Sequence, residues 1–440
     1  MKYKTIKLSH TNEIIQTYGV NSLMAKVIES KKIDQKQFKS FMDPHLIYHD
    51  FSLFEEADET LERIEEAIAN KEKICIYGDY DCDGILATTI LVQAFHERGV
   101  EVGYHIPNRF TDGYGLNTTR VEQMAEKGYS LIITVDNGIK AFDAVEKAGE
   151  LGIDVIITDH HAFDGEVPVA YSIIHTKMSP KYPFKEICGG FIAYKLAAAL
   201  LKHHDPYLFT LASITTISDM MPLLDENRSL VRRGLQFMKQ YKYPSLELLK
   251  GSRDYDATTI GFTIAPRINA FGRLPELVNP VYLVKYFLKE ADPAYQEKIS
   301  NYASKINSKR QSLTTSLYKE AVTDTSSPCL FYGSENMHEG LVGLVAGKYT
   351  REYEQPAFVM HYNPKEEIYK GSARGIDGFN IYNFFTHHED LFVQYGGHAK
   401  AGGFTITKSN YPLVYDALMN DIKGCHFEAS ESVIPITLTD

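Results

Sequence analysis

The chain has 440 residues, 44% hydrophobic and 23% charged, the composition of a globular protein of two or three domains and not of a disordered or fibrous one. Its 46 Lys and Arg against 57 Asp and Glu leave a net charge of −11, which argues against a nucleic-acid coat protein but not against an enzyme that carries its own divalent cations. No C-x-x-C spacing occurs among Cys75, Cys82, Cys188, Cys329 and Cys425, so neither a zinc knuckle nor a redox pair is readable, and a reducing cytoplasm is the expected compartment. MKYKTIKLSH has no apolar core of a signal peptide, and the longest mostly apolar stretch, 190–201, holds Lys195, so neither secretion nor a membrane span is expected.

In chain order, residues 1–50 read as a helical preamble with apolar Leu23, Met24, Val27 and Ile28 and a break at Pro44. Residues 55–70 place Leu61, Ile64, Ala67 and Ile68 on one helical face. The pattern then changes. Short apolar runs at 74–77, 102–106, 131–135 and 155–157 alternate with helical stretches at 84–98, 117–127 and 141–150, the signature of a parallel α/β sheet. Residues 293–323 predict one long helix with a partial stripe of Ile299, Tyr302, Ile306, Leu313 and Leu317. The α/β signal restarts with 329–332 and 357–360 and with Gly-rich turns expected near 371–378 and 396–403, a second α/β domain.

The first chemically informative segment is Gly78-Asp79-Tyr80-Asp81-Cys82-Asp83-Gly84, directly after the run 74–77. Three carboxylates in five residues repel one another unless a cation sits between them. A solvated acidic loop is the bland alternative; an EF-hand loop is another, but Ile90 and Leu91 stand near where its last Glu belongs. The same arrangement recurs. The run 131–135 ends in Asp136-Asn137-Gly138, and 155–158 ends in Asp159-His160-His161. Ligands in open α/β sheets gather at the carboxyl ends of strands, so three strand ends would deliver these groups to one shared metal site. Asp219, ending an apolar element just before Met220-Met221-Pro222, could join them or merely end a helix. The pairs His203-His204 and His387-His388 follow no strand and read as surface or packing histidines. The run 340–348 lacks the first Gly and the final Ser/Thr of a Walker A loop and reads as close helix packing, so ATP hydrolysis is not supported.

Together GDYDCDG, DNG, DHH and SDMMPLLDENR resemble the DHH phosphoesterase superfamily, and IPNRFTDGYGLN and APRINAFGRL resemble its RecJ branch of single-strand-specific exonucleases. MHEGLVGLVAGKYTREYEQP, GSARGIDGFNIYNF and GGHAKAGGF resemble the DHHA1 domain of the same enzymes. The resemblance runs from about residue 15 to 425. It implies two α/β domains joined by a long helix, with the active site in the cleft between: a preamble over 1–50, a DHH catalytic domain over 51–290, a connecting helix over 291–324, a DHHA1 domain over 325–425 and a tail over 426–440. It implies two divalent cations, Mn²⁺ or Mg²⁺. One would take Asp79, Asp81 and Asp136, and the other Asp83, Asp136, His160 and Asp219. His161 would touch the scissile phosphate and Asp159 orient its neighbours. Oxygen ligands with one imidazole suit Mn²⁺, and two such ions can neutralise the attacking and leaving oxygens of a phosphodiester without a Ser or Cys nucleophile.

Substrate grip would fall to Arg109, Arg267, Arg273, His338, Ser372, Arg374 and His398, with Arg109, Ser372 and Arg374 assigned to a terminal 5′-phosphate, since guanidinium groups fork onto phosphate oxygens. Ser218 and Gly402 depart from the family pattern, where Ala is usual. An OB-fold of the kind that grips single strands in the family is expected to be missing beyond 434–440. The implied function is metal-dependent 5′→3′ hydrolysis of single-stranded DNA. The alternative is a phosphodiesterase for very short oligonucleotides or small phosphodiesters, and a non-catalytic scaffold is disfavoured because every expected ligand is present.

Overall fold

Four of the apolar runs are strands: β1 (Ile74–Tyr77), β2 (Gly103–His105), β3 (Leu131–Val135) and β4 (Asp154–Thr158). A fifth, β5 (Ser172–Ile174), follows a proline-broken stretch too short to show a pattern. They pair in the order β2-β1-β3-β4-β5, all parallel, with Tyr77 opposite Thr134 and Val135 opposite Thr158. Strands β1, β3 and β4 are rich in Ile and Val and almost wholly buried, as a sheet covered on both faces requires. Helices Cys82–Glu97, Thr118–Glu126 and Phe142–Glu150 make the crossovers. One layer of the core packs Tyr77, Ile132, Val155 and Ile157 against Val121, Val145 and Ala148 from the helices. The chain leaves β1 toward β2 on one side and returns to β3 on the other. The crevice between the carboxyl ends of β1 and β3 is therefore the topological switch point, where open α/β sheets bind ligands.

The structure, a computed structural model, describes residues 8–425 except 31–32, 34–37, 39–40, 43–44, 114, 164 and 323–325. Pro44 and the tail 426–440 lie outside the described residues. The chain divides into two compact units, one of residues 39–309 and one of residues 310–440 with 1–38, the division falling within the helix Pro293–Ala321. In the first unit the apolar stretch near 190 is the helix Gly189–Leu201, buried on nearly every side, with Lys195 inside it. Its Nζ donates to Glu226 Oε2 at 2.7 Å and to the His49 carbonyl at 2.6 Å, which is how a buried ammonium is accommodated.

The second unit carries the sheet β6-β7-β8-β10-β9, formed by Leu330–Ser334, Ala357–Asn363, Ile368–Arg374, Ala401–Thr407 and Gln394–His398. Only β6 and β7 are parallel. The glycines near 371 and 396–403, expected in turns, lie mostly within β8, β9 and β10. A Cβ at Gly371 would come 2.5 Å from Phe404 Cζ, and one at Gly402 2.5 Å from Phe385 Cε2. These glycines are flat patches over which core rings pass. In the preamble, helix Ser22–Ser30 buries Ala25 and Ile28, while Leu23 and Val27 are exposed, so the expected apolar face is rotated. Tyr302 is likewise exposed on the long helix. All five cysteines are free thiols. Among the described residues no helix is long and apolar enough to cross a membrane.

Candidate metal centre

The carboxyl end of β1 passes directly into the acidic loop. Asp81 caps the helix Cys82–Glu97, its Oδ1 accepting from the Gly84 N–H at 3.1 Å. Gly84 is needed because a Cβ there would lie 2.5 Å from the Asp79 nitrogen. At the end of β3, Asp136 adopts a left-handed conformation with φ 62°, which Asp tolerates better than most residues. Its N–H bonds the Thr158 carbonyl at 3.0 Å, and Asn137 Nδ2 donates to the Tyr77 and Val135 carbonyls at 3.1 and 2.9 Å. The DNG turn thus stitches the ends of β1, β3 and β4 together.

At the end of β4, Asp159 is fully occupied by hydrogen bonds. Its Oδ1 accepts from His160 N at 2.7 Å, His161 N at 3.1 Å and His161 Nδ1 at 2.7 Å, and its Oδ2 from Ile139 N at 3.0 Å. Burial opposes the charged forms of both partners, but the Asp159–His161 pairing wins, holding the carboxyl well below its ordinary range and raising the imidazole to about 9. His160, more buried and next to His161, is lowered to about 3.

These turns bring six predicted residues together. Ligand atoms of Asp79, Asp81 and Asp136 lie within 4.8 Å of one another, as do those of Asp83, His160 and Asp219. A third such group joins Asp136, His160 and His161. His160 Nε2 is 3.1 Å from Asp136 Oδ1, 3.7 Å from Asp219 Oδ2 and 3.9 Å from Asp83 Oδ2. Asp219 is the residue that ends helix Pro206–Ser218, so it is both a helix-end carboxylate and a member of the cluster. Burial, and then repulsion from neighbouring carboxylates, push Asp79, Asp83, Asp136 and Asp219 above the ordinary carboxylate range. No hydrogen bond satisfies the buried Asp79 Oδ1 or His160 Nε2 among the described residues. Hard carboxylate oxygens suit Mn²⁺ and Mg²⁺, the single imidazole suits Mn²⁺ better, and the ligand atoms left without hydrogen bonds are open to such an ion.

The arginines are placed differently from one another. The Arg109 guanidinium stacks 4.4 Å over the Tyr80 ring, its charge reaches Asp79, and its buried Nε has no hydrogen bond among the described residues. Arg273 is a charge neighbour of the same Tyr80. Arg267 instead donates to the Leu249 carbonyl. In the second unit, Arg374 Nη1 donates to Ser372 Oγ at 2.6 Å and to the Ala373 carbonyl at 2.8 Å on β8. A Cβ at Gly343 would lie 3.0 Å from Arg374 Nη2 and 3.2 Å from Ser372 Oγ, so the glycine-rich run packs as a helix against this pair. His338 precedes that helix and accepts from the Gly340 N–H through Nδ1, while His398 is exposed at the end of β9.

Three contributions were not anticipated from the sequence. The N–H groups of Gly189 and Gly190, at a helix start, each donate at 2.8 Å to the two oxygens of Asp83. Asn269 Oδ1 accepts from the Cys82 N–H at 2.7 Å. Buried His175 accepts from Lys177 N at Nδ1, so its Nε2 donates to the His161 carbonyl at 3.0 Å. The doubled glycine opening the apolar stretch was the one local signal available; the other two are contacts between separate segments of the chain.

The DHH family N-terminal domain model matches residues 73–218, and the DHHA1 domain model matches residues 326–424. The chain is 37% identical to the single-stranded-DNA-specific exonuclease RecJ of Bacillus subtilis over 87% of this chain and 49% of that protein. It is 31% identical to the enzyme of that name from Dickeya dadantii over 82% of this chain and 68% of that one. The crystal structure of RecJ in complex with Mn²⁺ from Thermus thermophilus superposes with a TM-score of 0.84 at 26% identity, covering 99% of this chain and 64% of that one. The chain thus spans about half the length of the Bacillus subtilis relative and about two thirds of the other two. With both domain models matched in order and this identity across the span, the chain belongs to the RecJ family.

Proposed function

We propose that this chain is a metal-dependent exonuclease that hydrolyses phosphodiester bonds of single-stranded DNA from the 5′ end, in the cytoplasm, a compartment its five free thiols suit. The observation that carries the reading is the meeting of Asp79, Asp81, Asp83, Asp136, His160 and Asp219 at the sheet's switch point. Asp79, Asp81 and Asp136 would hold one Mn²⁺ or Mg²⁺ ion; Asp83, His160 and Asp219 would hold the other, with Asp136 shared. When bound, such a pair supplies an activated water and neutralises the attacking and leaving oxygens of the phosphodiester. The chain's own groups prepare the site. Gly189 and Gly190 fix both oxygens of Asp83. Asp159 holds His161 through Nδ1, which fixes the orientation of the ring that would face a phosphate oxygen. Arg109, braced on Tyr80, offers a guanidinium edge to a backbone phosphate.

In the second unit Ser372 and Arg374 form a phosphate-binding pair on β8, and the likeness of IPNRF and GSAR to the family motifs supports a grip on the 5′-terminal phosphate. The names of the curated relatives support single-stranded DNA as substrate, and the Thermus thermophilus complex supports Mn²⁺. The test is Mn²⁺-dependent release of nucleotides from a 5′-phosphorylated strand of a few dozen nucleotides, run beside a dinucleotide and repeated with Asp136→Asn. Strand digestion that falls by several orders of magnitude in the variant supports the reading. Turnover of the dinucleotide alone would move the assignment to an enzyme for very short oligonucleotides.

A further inference from the structure

The motif APRINAFGRL forms the helix Ala265–Arg273. Its arginines pointed to nucleic acid, yet two of its uncharged residues lie on the metal loop. Asn269 Oδ1 accepts a hydrogen bond from the Cys82 N–H at 2.7 Å. Three residues further on, a Cβ at Gly272 would fall 2.0 Å from the Tyr80 carbonyl oxygen and 3.1 Å from Tyr80 Cβ, so helix and loop backbones are in direct contact.

The place of this bond in the loop gives it a purpose. Cys82 is the first residue of the helix Cys82–Glu97, and its N–H is one of those that a helix cannot satisfy from within. The capping side chain, Asp81, is engaged with the Gly84 N–H and leaves Cys82 to another partner. Asn269 supplies it from 187 positions along the chain. The two bonds together fix where the loop ends and the helix begins, hence the point at which the Asp81 and Asp83 carboxylates diverge. These two carboxylates fall in different ligand groups, Asp81 with Asp79 and Asp136, and Asp83 with His160 and Asp219. A one-residue slip or a small rotation at Cys82 would spoil both groups at once. An amide oxygen serves here because it accepts without adding charge to a cluster already holding Asp79, Asp81, Asp83, Asp136 and Asp219.

We infer that Asn269 is a positioning residue of the metal centre, setting the separation of the Asp81 and Asp83 ligand groups through the Cys82 N–H. The inference rests on the two-cation reading of the site. Partners that orient metal ligands change metal affinity or activity by about 10–100-fold when removed. Asn269→Ala is expected to bind Mn²⁺ alone, followed by calorimetry on the metal-free chain, about 10–100-fold more weakly. Its kcat on a single strand should fall by a similar factor, with KM unchanged. Asn269→Gln, which keeps an uncharged amide oxygen on the same helix face, should recover part of both. Wild-type Mn²⁺ affinity in Asn269→Ala overturns the inference, and so does an equal loss in the alanine and glutamine variants. Should the alanine variant fail to fold, the glutamine variant decides: Mn²⁺ affinity within about 3-fold of wild type supports the inference and a loss of about 10-fold or more overturns it. A wild-type chain that binds no Mn²⁺ would instead sink the two-cation reading itself.

Discussion

The contact between the start of helix Gly189–Leu201 and the DNG turn can be tested by adding one methyl group. A Cβ at Gly189 would lie 2.6 Å from Asp136 Cβ and 2.8 Å from Asp136 Cα, against about 3.5–4 Å for an ordinary carbon contact, so something must move by about 1 Å. Asp136 is poorly able to yield. Its backbone is left-handed, its N–H is bonded to Thr158, and the Asn137 amide beside it is tied to β1 and β3. The helix start must therefore withdraw. A 1 Å withdrawal takes the Gly189 and Gly190 hydrogen bonds to Asp83 from 2.8 Å to beyond bonding distance. Overpacking costs about 1–3 kcal/mol, and each bond to a charged group contributes about 1.5–3 kcal/mol, so Gly189→Ala should destabilise the chain by roughly 3–6 kcal/mol after partial relaxation. The accompanying displacement of Asp83 or Asp136 should cost turnover about 100-fold. Gly149→Ala is the control. Gly149 lies in the helix Phe142–Glu150 with nothing within 4 Å of its absent Cβ, and alanine there should be neutral or stabilising by up to about 1 kcal/mol. The assay pairs thermal unfolding with Mn²⁺-dependent digestion of a single strand. Native stability and native turnover in Gly189→Ala would refute the close approach and, with it, the idea that this helix start braces the site.

Other expectations follow from the same contacts. Arg374→Ala should slow digestion of 5′-phosphorylated strands more than of 5′-hydroxyl strands; equal losses would reduce the arginine to a general attractor of backbone. Lys195→Met removes the cationic partner of fully buried Glu226, leaving it the Tyr182 hydroxyl and the His49 N–H, and should lower stability by about 3–5 kcal/mol in urea unfolding, whereas a change under 1 kcal/mol would contradict the buried pair. Arg63 bonds both Glu72 and Asp154, and its hydrogen bond, against an opposing effect of burial, holds the Glu72 carboxyl below its ordinary 4.5. The folded state therefore binds fewer acidic protons than the unfolded one. That stability is complete above about pH 4.5 and is lost as pH falls through the lower folded value. Arg63→Met should flatten this acid limb of the stability profile, and an unchanged limb would show that Glu72 owes its shift to something else.

What the sequence disclosed and what it hid divide along physical lines. Strands β1, β3 and β4 are short, mostly apolar runs rich in Ile because both faces are buried, and such runs are visible without any partner. Gly371 of β8 and Gly402 of β10 read as turn residues in the sequence because each makes room for a ring, Phe404 or Phe385, that another element supplies. The rotated face of Ser22–Ser30 shows the same limit: a short helix offers two apolar faces, and only the packing selects Ala25 and Ile28 over Leu23 and Val27. In the site, the acids were legible because charge at a strand end is anomalous wherever it occurs. The groups that hold those acids were not. Gly189 and Gly190 act through backbone N–H groups, and Asn269 meets Cys82 across 187 positions, so neither leaves a periodicity to read.

The central claim is that two cations share Asp136. It is tested most directly by growing crystals with Mn²⁺ and counting anomalous peaks at the carboxyl ends of β1 and β3. Two peaks are predicted for each chain, one among Asp79, Asp81 and Asp136 and the other among Asp83, Asp136, His160 and Asp219. A single peak held by Asp136, His160 and His161, the third group within ligand reach, would contradict the account, as would no peak at all.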